Sequence, residues 1–183
     1  MAGRTMAGGP REAQRPFVLW LTGLSGSGKS TIADRIYTRL KEKGIKAERL
    51  DGDEIRAVFP DTGFDRAARM AHIARVGYLA SVLERNGICT IVSLISPYRE
   101  ARDEVRQRCG RFIEVHVSAP LEVCEERDVK GLYAKSRRGE IRGFTGIDDP
   151  YEEPVEPELH IDTSRLTVAD SEALVMNHIA SCL

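Results

Sequence analysis

The chain predicts an α/β fold, a central parallel sheet covered by helices on both faces and closed by a mobile lid. Three observations lead there. Short apolar runs alternate with longer helical patterns, as a helix-covered parallel sheet requires. A glycine-rich loop joins the first apolar run to the first helix. Residues 128–157 interrupt every period with Gly and Pro while carrying dense charge.

In chain order, residues 1–16 are rich in Gly, Ala, Arg and Pro and read as a disordered tail, with neither signal peptide nor membrane span. A single domain is expected over 17–183. Phe17 to Leu21 is an apolar first strand, followed by a helix from about Ser30 to Lys43 that Gly44 closes. Ala47 to Leu50 is a short second strand ending in Asp51-Gly52-Asp53. Ala67 to Arg85 carries the apolar stripe Ile73, Val76, Ala80 and Leu83 of a helix, stopped by Asn86-Gly87. Ile88 to Leu94 is a β-branched strand, Tyr98 to Arg108 a polar helix, and Phe112 to Val117 an alternating strand. Pro120 opens a further helix. In 128–157 basic residues (Lys130, Lys135, Arg137, Arg138, Arg142) precede acidic ones (Asp148, Asp149, Glu152, Glu153, Glu156). So long a loop is functional or disordered, and the favoured reading is a lid over phosphates. Thr167 to Ile179 is the last helix.

The formal net charge of −1 argues against a broad nucleic-acid footprint. Cys89, Cys109, Cys124 and Cys182 show neither C-x-x-C nor zinc-ligand spacing, which predicts thiols in a reducing cytosol.

Gly23-Leu24-Ser25-Gly26-Ser27-Gly28-Lys29-Ser30 matches G-x-x-x-x-G-K-S/T, between a strand and a helix. The sheet is therefore expected to be a three-layer α/β/α of the P-loop NTPase type. Glycines let successive amides curl toward phosphate oxygens, and the helix adds its positive end. Lys29 would bridge the outer phosphates of ATP, and Ser30 would ligate Mg2+. The strand ending at Leu94 runs into Ile95-Ser96-Pro97 without a carboxylate, and no N-K-x-D guanine motif is present. Asp53 is the candidate that replaces the missing acid, taking a proton from the acceptor hydroxyl and helping to hold Mg2+. A plain turn is the other reading of Asp51-Gly52-Asp53. Arg69, His72 and Arg75 share a helix face, with Arg56 and Phe64 nearby. They suit a phosphorylated or sulfated ligand carrying a base, or a solvated helix face.

Beyond the loop, several segments resemble the adenylylsulfate kinases: Trp20 to Thr31, Leu50 to Asp53 with Ile55-Arg56, Gly63-Phe64 and Ile95 to Arg99. Pro120 to Asp128, Lys130 to Tyr133 and Gly139 to Asp148 are the most diagnostic. The resemblance implies phosphorylation of adenylyl sulfate by Mg-ATP on its 3′-hydroxyl, in the cytoplasm, by an enzyme whose family tends to dimerise. It implies that Ser25, Gly26, Ser27, Gly28, Lys29, Ser30 and Thr31 hold the phosphates and that Arg127 lies against the ATP adenine. It places Arg56, Arg69, Ile95 and Ser96 around the acceptor, with its adenine between Phe64 and Phe144. Lys130, Arg142 and Gly143 belong to the lid side. Ser96 also matches a serine phosphorylated in some members, although in-line transfer needs no phosphoenzyme.

The departures lie on the acceptor side. Where the family has D-R-x-x-N-I-R-R, this chain has Ala68, His72 and Ala74 among matching Arg69, Ile73 and Arg75. His72 replaces an amide with a bulkier, titratable ring. Two alternatives therefore remain open: a same-scaffold kinase for another nucleotide conjugate, such as a nucleoside diphosphate phosphoramidate, and a non-catalytic nucleotide-binding subunit.

Overall fold

The computed structural model describes residues 15–59 and 63–183. Most of the expected N-terminal tail, and part of the link from Arg56 to Phe64, therefore lie outside the described residues. Five parallel strands, β1 (Val18–Thr22), β2 (Ala47–Asp51), β3 (Cys89–Ser93), β4 (Phe112–Ser118) and β5 (Leu159–Asp162), form one sheet in the order β2-β3-β1-β4-β5. The chain steps one way from β1 to β3 and the other way to β4. The crevice above the carboxyl end of β1 is thus a topological switch point, where such sheets bind ligands.

Alternation along β1 builds two cores. Phe17, Leu19 and Leu21 face α1 (Lys29–Glu42) and α7 (Val168–Ile179), packing with Ile32, Ile36, Leu40, Val175 and Ile179. Val18 and Trp20 face α3 (Arg66–Arg85) and α4 (Arg99–Arg108), packing with Ile73, Val76, Ala101 and Val105. In β1 and β3 residues of both parities are buried, as expected for central strands of a sheet covered on both sides.

The expected helices and the first four strands recur within one or two residues. Three features differ. Asp51-Gly52-Asp53 does not form a free turn: Asp51 caps α2 (Gly52–Val58), accepting from the Asp53 amide at 2.9 Å and that of Glu54 at 3.4 Å. A fifth strand, β5, follows the charged segment, too short and too polar in alternate positions to stand out. The segment 128–157 itself is ordered around α6 (Leu132–Arg137), which follows α5 (Leu121–Arg127). There Cys124, Tyr133 and Phe144 form a third, smaller core, with Tyr133 and Phe144 edge to face at 5.0 Å. Among the described residues, no helix is long and apolar enough to cross a membrane.

Candidate active site

A cavity of about 890 Å³ opens above the carboxyl ends of β1, β2 and β3. Its floor is the loop between β1 and α1. Gly23 has φ 151°, and a Cβ there would stand 2.1 Å from the Val117 carbonyl oxygen, so only glycine fits beneath β4. Gly28, at φ 95°, turns the chain into α1, which begins at Lys29. Ser25, Gly26, Gly28, Lys29, Ser30 and Thr31 line the cavity, whereas Gly23 and Ser27 support it from below.

The Lys29 ammonium lies over the loop, donating to the Leu24 carbonyl at 2.6 Å. Burial is the main reason its pKa falls to about 8, against partial opposition from Cys124 and Asp53. Ser30 Oγ donates to Asp51 Oδ2 at 3.0 Å, and Ser93 Oγ donates to the same oxygen at 2.7 Å. Burial alone would raise the Asp51 pKa, but the bonds from Ser93, the Asp53 amide, Ser30 and the Glu54 amide outweigh it and hold it below the ordinary range. Asp51 pairs in register with Ser93 across β2 and β3. The neighbouring strand thus supplies the carboxylate that β3 lacks, and it is Asp51, not Asp53, that touches the Ser30 hydroxyl. The sequence signal was an acid at the end of a strand beside the loop strand's neighbour, which becomes visible only once strand order is known.

Asp53, two residues on, is mostly exposed and bonded to Lys130, whose pKa this hydrogen bond raises. Among the described residues, no group of three or more His, Cys, Asp or Glu side chains forms a metal cluster. The oxygens of Ser30, Asp51 and Asp53 are hard donors that suit Mg2+, which keeps waters and phosphates as its remaining ligands.

The other half of the cavity gathers Arg56, Phe64, Arg69, His72, Ile95 and Ser96. The Arg56 guanidinium lies 4.7 Å from the Phe64 ring centroid, and its pKa is lowered by burial and by Arg69. Phe64 is 64% exposed, while Phe144 on the opposite segment is buried. Arg69 directs its donors to protein groups: the Phe64 carbonyl at 2.6 Å, the Thr145 hydroxyl and the Gly143 carbonyl. It thereby ties α3 to residues 143–145. His72 is buried, with Nε2 3.0 Å from the Gly52 carbonyl. A carbonyl only accepts, so Nε2 carries the proton, and among the described residues Nδ1 has no partner. Burial, and then Arg56, lower its pKa and favour the uncharged ring. Arg75, on the same helix face, is exposed, lies 5.7 Å from the Phe59 ring centroid and does not line the cavity.

Ser96 is non-glycine at φ 41° and buried. Trp20 Nε1 donates to its hydroxyl at 3.0 Å, and that hydroxyl donates to Thr22 Oγ1 at 3.0 Å. Thr22 in turn donates to the Ile95 carbonyl at 2.7 Å. The Ser96 side chain is therefore a brace within its loop. Lys130, Arg142, Gly143 and Phe144 complete the wall from the 128–157 segment. Tyr133 holds that segment to the loop floor, donating to the Ser25 carbonyl at 2.9 Å.

Arg127 spans Gly26 and the Thr163 carbonyl at 3.2 and 2.8 Å. Thr163 Oγ1 donates to the Ser27 carbonyl at 2.9 Å. Thr163, Leu166, Val168 and Ser171 add a wall beyond β5 that the sequence did not reveal, because β5 itself was not recognised.

Comparison with known proteins gives a consistent answer. The family model for adenylylsulphate kinase matches residues 15–162. The adenylyl-sulfate kinase of Rippkaea orientalis is 52% identical over 159 residues, 86% of this chain and 88% of that protein. The probable adenylyl-sulfate kinase of Pyrococcus abyssi is 53% identical over 161 residues, 87% of this chain and 92% of that one. The Mycobacterium tuberculosis APS kinase, solved in complex with AMPPNP and APS, superposes with a TM-score of 0.87 at 40% identity, covering 91% of this chain and 99% of that chain. A motif-bearing cavity at the switch point and similarity along most of the length agree: the chain belongs to the adenylylsulphate kinase family.

Proposed function

We propose that the protein is an adenylyl-sulfate kinase, transferring the γ-phosphoryl group of ATP to the 3′-hydroxyl of adenylyl sulfate to give ADP and 3′-phosphoadenylyl sulfate. The carrying observation is that one cavity is lined both by the phosphate loop and by Phe64, Phe144 and Arg56. The curled amides from Ser25 to Thr31 and the Lys29 ammonium neutralise the triphosphate, leaving Arg127 and Thr163 for the adenine end. Asp51 orients the Ser30 hydroxyl, and the two residues with Asp53 are the donors that would hold Mg2+. When bound, Mg2+ offsets charge that develops on the phosphate oxygens. Asp53 accepts the proton of the incoming hydroxyl, and Lys130 holds its carboxylate in place. Phe64 and Phe144 take the acceptor's adenine between them, with Arg56 beside its anionic groups.

Residues 128–157 act as a lid that excludes water, so that hydrolysis does not compete with transfer. The cytoplasmic setting and a homodimer belong to the same reading. His72 lines the acceptor half of the cavity, where a change of acceptor identity would act. Nucleotide conjugates without the mixed anhydride should turn over far less well than adenylyl sulfate. ADP release measured with adenylyl sulfate and with nucleoside diphosphate phosphoramidates tests this, and preference for the latter would replace the reading. Asp53→Ala should lower kcat by about 10²–10⁴-fold with an unchanged circular dichroism spectrum; near-normal turnover would remove it as the proton acceptor.

A further inference from the structure

Behind the Ile95–Pro97 wall one arginine joins three parts of the chain, and we propose that Arg102 is a positioning residue for the phosphoryl acceptor. Its guanidinium donates through Nε to Glu114 Oε1 on β4 at 2.7 Å, through Nη1 to the Ser96 carbonyl at 2.6 Å, and through Nη2 to the Glu152 carbonyl at 2.7 Å. The Arg102 side chain is 2% exposed and that of Glu114 9%. Only a planar fork with several donors reaches three acceptors in three directions, so a lysine cannot reproduce the arrangement.

The two backbone carbonyls define what is being held. Ser96 sits at φ 41°, a conformation unfavourable for a side chain, which persists only where its surroundings fix it. Glu152 is the far end of the 128–157 segment, and its amide donates to the Pro97 carbonyl at 2.8 Å. The Arg99 amide donates to Glu152 Oε2 at 2.8 Å, and the Tyr98 hydroxyl to Asp149 Oδ2 at 3.2 Å. Asp149 reaches Arg69 at 3.7 Å, and Arg69 holds the Gly143 and Thr145 groups on either side of Phe144. A continuous path therefore runs from Arg102 to the ring proposed to cover the acceptor base. A buried ion pair adds little net stability over apolar residues of similar size, so stabilising the core does not account for this one. Fixing the spacing between the acceptor wall and the base of the lid does.

The inference rests on the acceptor reading given above, and its test separates the two. In the full-length protein, Arg102→Leu combined with Glu114→Leu removes both charges and leaves none buried alone. The expected result is a rise of about tenfold or more in the KM for adenylyl sulfate, with the KM for ATP and the Kd for ADP within about twofold of the parent. Hydrogen exchange at the Glu152 amide should accelerate in the same variant. Arg102→Lys keeps a cation for Glu114 and should shift both readouts in the same direction, which decides the matter where the double variant fails to fold. A parental acceptor KM with parental exchange overturns the proposal, as does an equal loss of ADP affinity, which would mark general support of the fold. Absence of adenylyl sulfate turnover in the parent would instead overturn the function, while exchange and ADP affinity would still decide the part played by Arg102.

Discussion

Asp51 and Asp53 stand two positions apart and live in different surroundings. Asp51 is nearly enclosed, accepts four hydrogen bonds and caps α2; Asp53 reaches into the cavity toward Lys130. Asparagine caps a helix about as well as aspartate, so Asp51→Asn should preserve thermal stability to within about 1 kcal/mol. It removes the charge beside Ser30, however, and kcat should fall about 10²-fold or more in the same preparation. A variant with full activity would dissociate Asp51 from the oxygens proposed to hold Mg2+. Lys29 carries a second expectation. Its pKa of about 8 means that the free protein loses this cation as the pH rises through that value. Bound phosphate favours the charged form, so ATP affinity should fall above pH 8 with a slope approaching tenfold per pH unit. Titration calorimetry at pH 7, 8 and 9 measures this, and Lys29→Met should flatten the profile. Lys29 and Ser30 were legible from a motif. Asp51 was not, because its partner Ser93 lies 42 residues away and meets it only through strand pairing.

At the level of elements, α3 and α4 pack closely because Gly77 allows it. A Cβ at this position would lie 2.4 Å from one Val105 methyl and 2.9 Å from the other. Helix propensity favours alanine over glycine by roughly 1 kcal/mol, but overpacking costs about 1–3 kcal/mol, and valine has little rotamer freedom to yield. Gly77→Ala should therefore lower the Tm, and adding Val105→Ala should recover part of the loss. An increase in Tm from the single substitution would mean that the two helices slide apart readily. Apolar patterning exposed the first four strands as short runs and α3 by its stripe, and the loop motif placed α1. It missed α2, a short helix whose first residues Gly and Asp also suit a turn. It missed β5, where His160 and Asp162 alternate with Leu159 and Ile161. The segment 128–157 stood out by its Gly, Pro and charge content, with a lid as the favoured reading. Its internal order comes from Cys124, Tyr133 and Phe144, residues separated along the chain, so no local pattern carried it.

For the whole molecule, acidic and basic residues nearly cancel, yet the cavity does not share that balance. Lys29, Arg56, Arg69, Arg127, Lys130 and Arg142 line it against Asp51, Asp53 and Glu140. A neutral total thus conceals a positive interior suited to two polyanions. Composition alone disclosed the total, and only the fold disclosed how it is distributed. The exposure of Phe64, at 64%, carries a thermodynamic consequence. In the proposed acceptor complex this ring, largely in water, is covered by an aromatic base and sheds ordered solvent, and the heat capacity of the system drops as it does so. Acceptor association, followed by calorimetry at several temperatures, should show an enthalpy that grows more negative on warming. Phe64→Ala should shrink that slope far more than it alters the slope for ATP.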